Sequence, residues 1–126
     1  HINLLGYITH ESAFKEMKSA QLLLLIEIDS DETKGIIAGK VFEYLLAKRP
    51  ILAIGPKNWD VSKIINDTTS GKVFHYEEKD ILKHYIFNAF QDYKNGMLHI
   101  NSTNIEQFSR KHLTQQLSEV ILKVTT

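Results

Sequence analysis

The chain has 126 residues, of which 43% are hydrophobic and 24% are charged, and its formal net charge is zero. This composition predicts one globular domain that can bury a core, and it argues against disorder. Because the chain has neither a basic excess nor a polybasic run, nucleic acid is not an expected partner. The absence of cysteine excludes disulfides, thiolate zinc sites and cysteine nucleophiles.

The longest apolar run, residues 22–26 with their flanks, is too short to cross a bilayer. No signal-peptide pattern opens the chain. We therefore expect a cytoplasmic protein.

The first part of the chain alternates between apolar runs of strand length and a segment of helical period. Residues 2–8 predict a strand that ends in the step Gly6-Tyr7-Ile8, and residues 12–20 predict a helix. Residues 22–28 are almost continuously apolar, which is typical of a strand that is buried on both faces. An acidic loop over residues 29–32 follows.

A glycine-lysine turn introduces the next helix. Gly39 lies where a loop would turn into a helix that starts near Lys40 and ends near Lys48. Residues 50–54 predict the next strand, which Gly55 and the following proline close. Together these elements predict a helix between two neighbouring parallel strands.

A short helix and a short strand come next. Asp60 can cap the helix, whose inward residues are Val61, Ile64 and Ile65, and Gly71 supplies its stop. Residues 72–76 then predict the last strand.

Two longer amphipathic helices are expected in the last third of the chain. Asp80 caps the first, which ends at Asn95-Gly96, and Thr103 with Glu106 forms a capping box for the second. The inward stripes are predicted at Leu82, Tyr85, Ile86, Ala89, Phe90 and Tyr93 of the first helix, and at Ile105, Phe108, Leu113, Leu117, Val120, Ile121 and Val124 of the second.

This order predicts an α/β fold with a Rossmann-like, doubly wound parallel sheet and helices on both faces, in a single domain over residues 1–126. Ligands of such sheets bind at the carboxyl ends of the strands. Three predicted loops meet that description: Gly6 with Tyr7, residues 27–31 and residues 55–60.

The predicted helix start at Gly39 suits a phosphorylated ligand. Unpaired backbone N–H groups and the positive end of the helix dipole favour an anion there. Glu43, one turn further in, can accept hydrogen bonds from the hydroxyls of a ribose or another sugar. On local sequence alone, Gly39 with Lys40 also fits an ordinary loop-to-helix junction, and Glu43 also fits the solvated face of an amphipathic helix.

Other polar and aromatic groups favour plainer interpretations. The acidic cluster Glu27, Asp29, Asp31 and Glu32 could attract a divalent cation, but its spacing favours a solvated loop. The six histidines are scattered, so no metal site is expected. Tyr85, Phe90 and Tyr93 are expected in the core, whereas Tyr7 and Trp59, at strand ends, are candidate ligand contacts.

One segment resembles a known family. It is similar to the donor-binding region of group 1 (family 4) glycosyltransferases of the GT-B architecture, whose members carry two glutamates in a Glu-x7-Glu pattern. Glu43 matches the second glutamate, and the first falls on Gly35. Subgroups that make surface polysaccharides carry instead a Pro/Ala-Gly/Ser-Lys-x-x-Glu-Tyr version, which this chain resembles. The resemblance rests on the run Gly39, Lys40, Val41, Phe42, Glu43, Tyr44 and Leu45, followed by Arg49, Pro50, Ile51, Leu52 and Ala53.

The resemblance implies a set of donor-binding residues. Gly39, Lys40 and Val41 would hold the diphosphate of a nucleotide sugar, Glu43 would position the ribose, and the Gly6-Tyr7 turn would lie beside the base. No catalytic residue, cofactor or metal is assigned. An acidic residue of the 27–32 loop is a candidate to replace the missing first glutamate.

The resemblance also implies that this chain is the incomplete carboxyl-terminal half of a larger retaining glycosyltransferase. Such an enzyme would make cell-surface polysaccharides or glycoconjugates. A glycan or lipid-linked acceptor would bind through a missing amino-terminal domain, the full-length enzyme could associate peripherally with a membrane, and this part alone would be inactive. The alternatives are a nucleotide-sugar epimerase or hydrolase on the same scaffold, and a non-catalytic Rossmann-like interaction module.

Overall fold

Three parallel strands form the centre of the computed structural model, which describes residues 1–125. They are β1 (Leu23–Ile26), β2 (Ile51–Gly55) and β3 (Gly71–His75), and they lie side by side in that order. Leu23 pairs with Ile51, and Ile51 pairs in turn with Gly71. The predicted α/β class with a parallel sheet is therefore confirmed.

Helices flank this sheet. Each predicted helix is present, and the ends lie within a few residues of the expected ones except at the start of the last helix. None of the helices within residues 1–125 has the length and apolar character that a membrane crossing requires. The helices are α1 (His10–Ser19), α2 (Lys40–Ala47), α3 (Asp60–Asp67), α4 (Lys79–Lys94) and α5 (Arg110–Thr125), with short 3-10 turns at Asp31–Thr33 and Ile105–Phe108.

The core lies between one face of the sheet and the helices α2 and α3. Fully buried side chains of α2 and α3 pack there on alternate residues of the strands, and α1 adds Phe14 and Met17 at the side. Burial of an aliphatic side chain contributes about 1.5–3 kcal/mol, so this layer dominates the stability of the fold. The central members are Val41 and Leu45 of α2, Val61, Ile64 and Ile65 of α3, and Leu23, Leu25, Ile51 and Ala53 of the sheet.

The opposite face of the sheet is covered only in part. Phe74 of β3 is buried there, and its ring lies 5.2 Å from the ring of Tyr85 on α4. Leu24 and Ile26 of β1, on the same face, are 49% and 57% exposed. The expectation that this strand is buried on both faces was therefore wrong, because α4 covers the β3 side and β1 lies at the edge.

The predicted first strand over residues 2–8 is absent. Leu4 and Tyr7 are almost fully exposed, and Gly6 adopts a left-handed conformation at φ 64°. A strand needs a hydrogen-bonded neighbour for its backbone, and this glycine interrupts the extended run. Without that strand, the described sheet runs in consecutive order, so it lacks the reversal that the expected doubly wound topology requires.

The last two helices bury less than their patterns predict. Phe90 and Tyr93 of α4 are 54% and 51% exposed, so their expected core positions were wrong. The capping box was also misplaced: Asn104 adopts a left-handed conformation, and α5 begins later, where the Ser109 hydroxyl accepts from the His112 N–H at 3.2 Å. Within the described residues α5 has no buried side chain.

Gly71 is needed for close strand pairing rather than for the expected helix stop. A Cβ atom at Gly71 would lie 2.0 Å from the backbone oxygen of Ile51, far inside van der Waals contact. The residue starts β3 opposite Ile51. A side chain there would push the two strands apart.

We therefore expect Gly71→Ala to destabilise the protein by about 1–3 kcal/mol or more, the usual cost of overpacking. Gly35→Ala is the matched control, because the nearest atom to its added Cβ is 3.9 Å away. Urea unfolding followed by circular dichroism measures both. Equal midpoints for the two variants would contradict the close approach of β2 and β3.

Candidate functional site

The loops that follow the three strands meet at one edge of the sheet and enclose a small cleft. This is the edge where ligands of parallel sheets bind. The cleft has a volume of about 180 Å³. It is lined by Asp29, Asp31, Lys34, Pro56, Lys57, His75, Tyr76 and Glu77.

Four charged side chains of this cleft form two ion pairs. The Lys34 Nζ lies 2.6 Å from Asp31 Oδ1, and the Lys57 Nζ lies 2.6 Å from Glu77 Oε2. The hydrogen bond from Lys34 lowers the pKa of Asp31, and the Lys57–Glu77 hydrogen bond lowers the pKa of Glu77 while raising that of Lys57. These exposed pairs add little stability, but an anion entering the cleft would have to compete with them.

Backbone contacts hold the cleft loops in place. The Tyr76 hydroxyl donates to the Glu27 carbonyl oxygen at 2.8 Å and so joins the end of β3 to the end of β1. The Glu27 carboxylate turns back to accept from the Ile28 N–H, also at 2.8 Å. The Glu78 carboxylate accepts from the His75 N–H at 2.7 Å. Glu27 and Glu78 are therefore engaged by the chain itself.

The start of α2 is open to solvent, but its first turn is wound more tightly than the α-helical turn that the sequence predicts. The Val41 N–H donates to the Ala38 carbonyl at 3.0 Å and the Phe42 N–H donates to the Gly39 carbonyl at 3.1 Å, which makes a 3-10 turn. Val41 is fully buried. Gly39 and Lys40 are exposed, and their N–H groups donate to no acceptor within residues 1–125. The groups available to an anion are therefore those of Gly39 and Lys40.

Glu43 points away from the core at this helix start. Its side chain is 37% exposed, and its Oε1 lies 3.1 Å from the Nε2 of His10 at the beginning of α1. The neighbouring Tyr44 is buried and its hydroxyl donates to the Leu24 carbonyl at 3.1 Å. Burial, together with the charge of Glu43, raises the pKa of Tyr44. The helix thus directs Glu43 towards solvent and the next side chain, Tyr44, into the fold.

His10 is a member of this site that the sequence did not reveal as one. It lies 33 positions from Glu43 in the chain. The two helices pack side by side, with Phe14 and Met17 of α1 against the core cluster that contains α2. No spacing in the sequence signals such a contact between two separate helices.

The remaining predicted site residues, Gly6 and Tyr7, lie in the segment before α1. Both residues are exposed, and a Cβ at Gly6 would meet no atom within 4 Å apart from those of its chain neighbours. Within residues 1–125, neither residue forms a hydrogen bond or a ring contact with α2. Gly39, Lys40 and Glu43 therefore form a local group at the start of α2. Gly6 and Tyr7 add no hydrogen bond or ring contact to it within residues 1–125.

Trp59 is a core residue and not the candidate ligand contact that its position suggested. It is only 2% exposed, and its Nε1–H donates to the Ile36 carbonyl oxygen at 2.8 Å. Its ring lies directly against Gly55, where a Cβ would come within 2.4 Å of it. The indole therefore braces the loop that leads to α2, and its face is not available for stacking.

No group of three or more histidine, aspartate or glutamate side chains in the described part of the chain is placed to hold a metal ion. Comparison of the chain with protein-family models, with curated proteins and with solved structures found no match.

The ion pair between Lys57 and Glu77 predicts how the Glu77 carboxyl group titrates. Because Lys57 lowers the pKa of Glu77, the ionised pair stabilises the fold above the normal glutamate pKa, and that contribution is lost as the pH falls through the lowered value. We expect Lys57→Gln to move the carboxyl titration of Glu77 upward towards its ordinary value, as measured by NMR. Lys63→Gln, on the exposed side of α3, should leave the titration unchanged. An identical midpoint in the native and Lys57→Gln proteins would refute the pair.

Proposed function

We propose that this chain is the part of a retaining glycosyltransferase that binds a nucleotide-diphosphate sugar, in an enzyme that makes cell-surface polysaccharides or glycoconjugates. The observation that carries the proposal is the position of Glu43. Its carboxylate stands outside the core, one turn from the open amides of Gly39 and Lys40. A carboxylate that lies one helical turn from an anion-binding helix start suits a ligand with both hydroxyl and phosphate groups.

The diphosphate would bind at the start of α2. The positive end of the helix dipole attracts an anion there, as do two N–H groups that have no acceptor within residues 1–125. Lys40, the first residue of the helix and exposed, supplies a positive charge beside them. The 3-10 turn uses the amides of Val41 and Phe42 internally. The phosphates would therefore contact only the amides of Gly39 and Lys40, and Val41 would support the site from the core.

Glu43 would then hold the ribose. Two neighbouring hydroxyls can donate to the two oxygens of one carboxylate. Hydrogen bonds to a charged acceptor are stronger than those between neutral groups. His10 already contacts one of these oxygens at 3.1 Å, which limits the rotation of the side chain. A ribose would use the other oxygen or share the first one.

Catalysis in this proposal is electrostatic. As the glycosidic bond breaks, negative charge builds up on the departing diphosphate, and donors that are already oriented stabilise it without rearrangement. The chain supplies these donors at Gly39 and Lys40. The acceptor, a glycan or a lipid-linked sugar, would come from a further domain, and no residue of this chain is given a covalent role.

A non-catalytic interaction module is the second candidate, and one observation favours it. The apolar stripe of α5 lies in solvent: Leu117 is 60% exposed and Val124 is 81% exposed. Such a stripe can dock on another protein without any ligand at α2. This candidate predicts no heat when nucleotides are added.

Isothermal titration with UDP, GDP and ADP separates the two candidates. In the glycosyltransferase proposal at least one nucleotide binds, and Glu43→Gln weakens it by about one to two decades, because a hydrogen bond to a charged group contributes about 1.5–3 kcal/mol. Glu16→Gln, an exposed glutamate on α1, is the matched control and should bind as the native chain does. Equal affinities of the native protein and Glu43→Gln would remove Glu43 from the site.

A further inference from the structure

A groove of about 680 Å³ lies between α2 and the segment that leads into α5. Its volume falls in the range of about 300–1,000 Å³ that small-molecule sites occupy. It is separate from the cleft at the strand ends, and it reaches the proposed nucleotide site only at Glu43. Its lining combines apolar side chains, among them Phe42, Leu46 and Phe108, with polar ones that include Ser102.

The floor of the groove is apolar and rests on the core. The rings of Phe42 and Phe108 lie 5.6 Å apart in a tilted arrangement, and Phe108 and Ile105 pack against the core cluster. Leu45 below them is 1% exposed, whereas Leu46 is 62% exposed. Because the core holds most of these side chains in place, the groove is preformed.

One polar group in this apolar lining lacks a partner. The Oγ of Ser102 is buried, and within the described residues it forms no hydrogen bond. A buried hydroxyl without a partner is costly, and such groups are rare in folded proteins. Since a serine hydroxyl has three staggered positions, it can turn to meet a ligand group in the groove.

The charged residues of the lining balance one another. Glu43 and Glu106 carry negative charges, and Lys48 and Arg110 carry positive charges. With two charges of each sign, the groove has no net charge of its own to attract an anion or a cation. An ionic head group would therefore gain little to offset the loss of its hydration.

We propose that this groove binds an uncharged amphiphile, with an apolar chain or ring against Phe42, Leu46 and Phe108 and one hydroxyl or carbonyl group that bonds to Ser102. This site goes beyond the proposed nucleotide site and does not require it. Glu43 borders both, so the experiment uses Leu46 and Ser102, which have no role in nucleotide binding.

The test uses the neutral dye Nile red with the full chain, and displacement of the dye by 1-octanol. We expect saturable binding of one dye per chain, and we expect Leu46→Glu to weaken it about tenfold or more, because a carboxylate at the rim resists burial. Leu117→Glu is the matched control: Leu117 is 60% exposed on α5, as Leu46 is 62% exposed on α2, but it does not line the groove. Circular dichroism checks that both variants fold.

The head group is tested by competition. We expect 1-octanol to displace the dye more strongly than octyl sulfate and octylammonium do, and Ser102→Ala to weaken the binding of 1-octanol about 2- to 12-fold, the effect of one neutral hydrogen bond. Equal losses in Leu46→Glu and Leu117→Glu, or stronger displacement by either ion, would overturn the proposal. So would dye binding that appears only as the chains associate, measured by sedimentation. Nucleotide titration of Leu46→Glu should match the native protein, which keeps this result independent of the proposed function.

Discussion

The packing of α2 and α3 on one face of the parallel sheet is the constraint on which the rest of this structure depends. Val41, Leu45, Val61 and Ile65 are almost completely buried against alternate strand residues. Each contributes about 1.5–3 kcal/mol, and together they determine where α2 lies and in which direction it runs. Because α2 follows β1 and returns to β2, its first turn must lie at the carboxyl edge of the sheet. The start of α2 and the groove beside it both adjoin that layer.

The same helix serves the core and the site because of its geometry. Two residues along an α-helix are separated by about 200°, so Val41 and Glu43 point in nearly opposite directions. Burial of Val41 therefore turns the Glu43 carboxylate outward, where His10 meets it at 3.1 Å. Its other side borders the groove between α2 and the segment that leads into α5. One well-packed helix thus orients a carboxylate, a pair of open amides and the wall of an apolar groove.

A large apolar surface remains uncovered around this core. Leu24 and Ile26 on the open face of β1, Phe90 on α4 and the stripe of α5 are all about half exposed or more. Exposed apolar surface on this scale marks sites of interaction with other protein or ligands. The sequence patterns that predicted these residues as core correctly identified the helices and β1. They did not predict the burial of these side chains correctly, because burial depends on a neighbouring element that a periodic pattern cannot identify.

The sequence alone determined the α/β class, the three strands and five helices of the described chain, and the placement of Gly39, Lys40 and Glu43 at a helix start. Those features depend on local periodicity, turn residues and short-range spacing, which a linear sequence records directly. Only the tertiary structure decided that residues 2–8 leave the sheet, that Trp59 is internal, that His10 reaches Glu43 and that the amide of Val41 is already used. Each of these features depends on contacts between distant residues or on the backbone conformation at one position. Local sequence patterns specify neither of them.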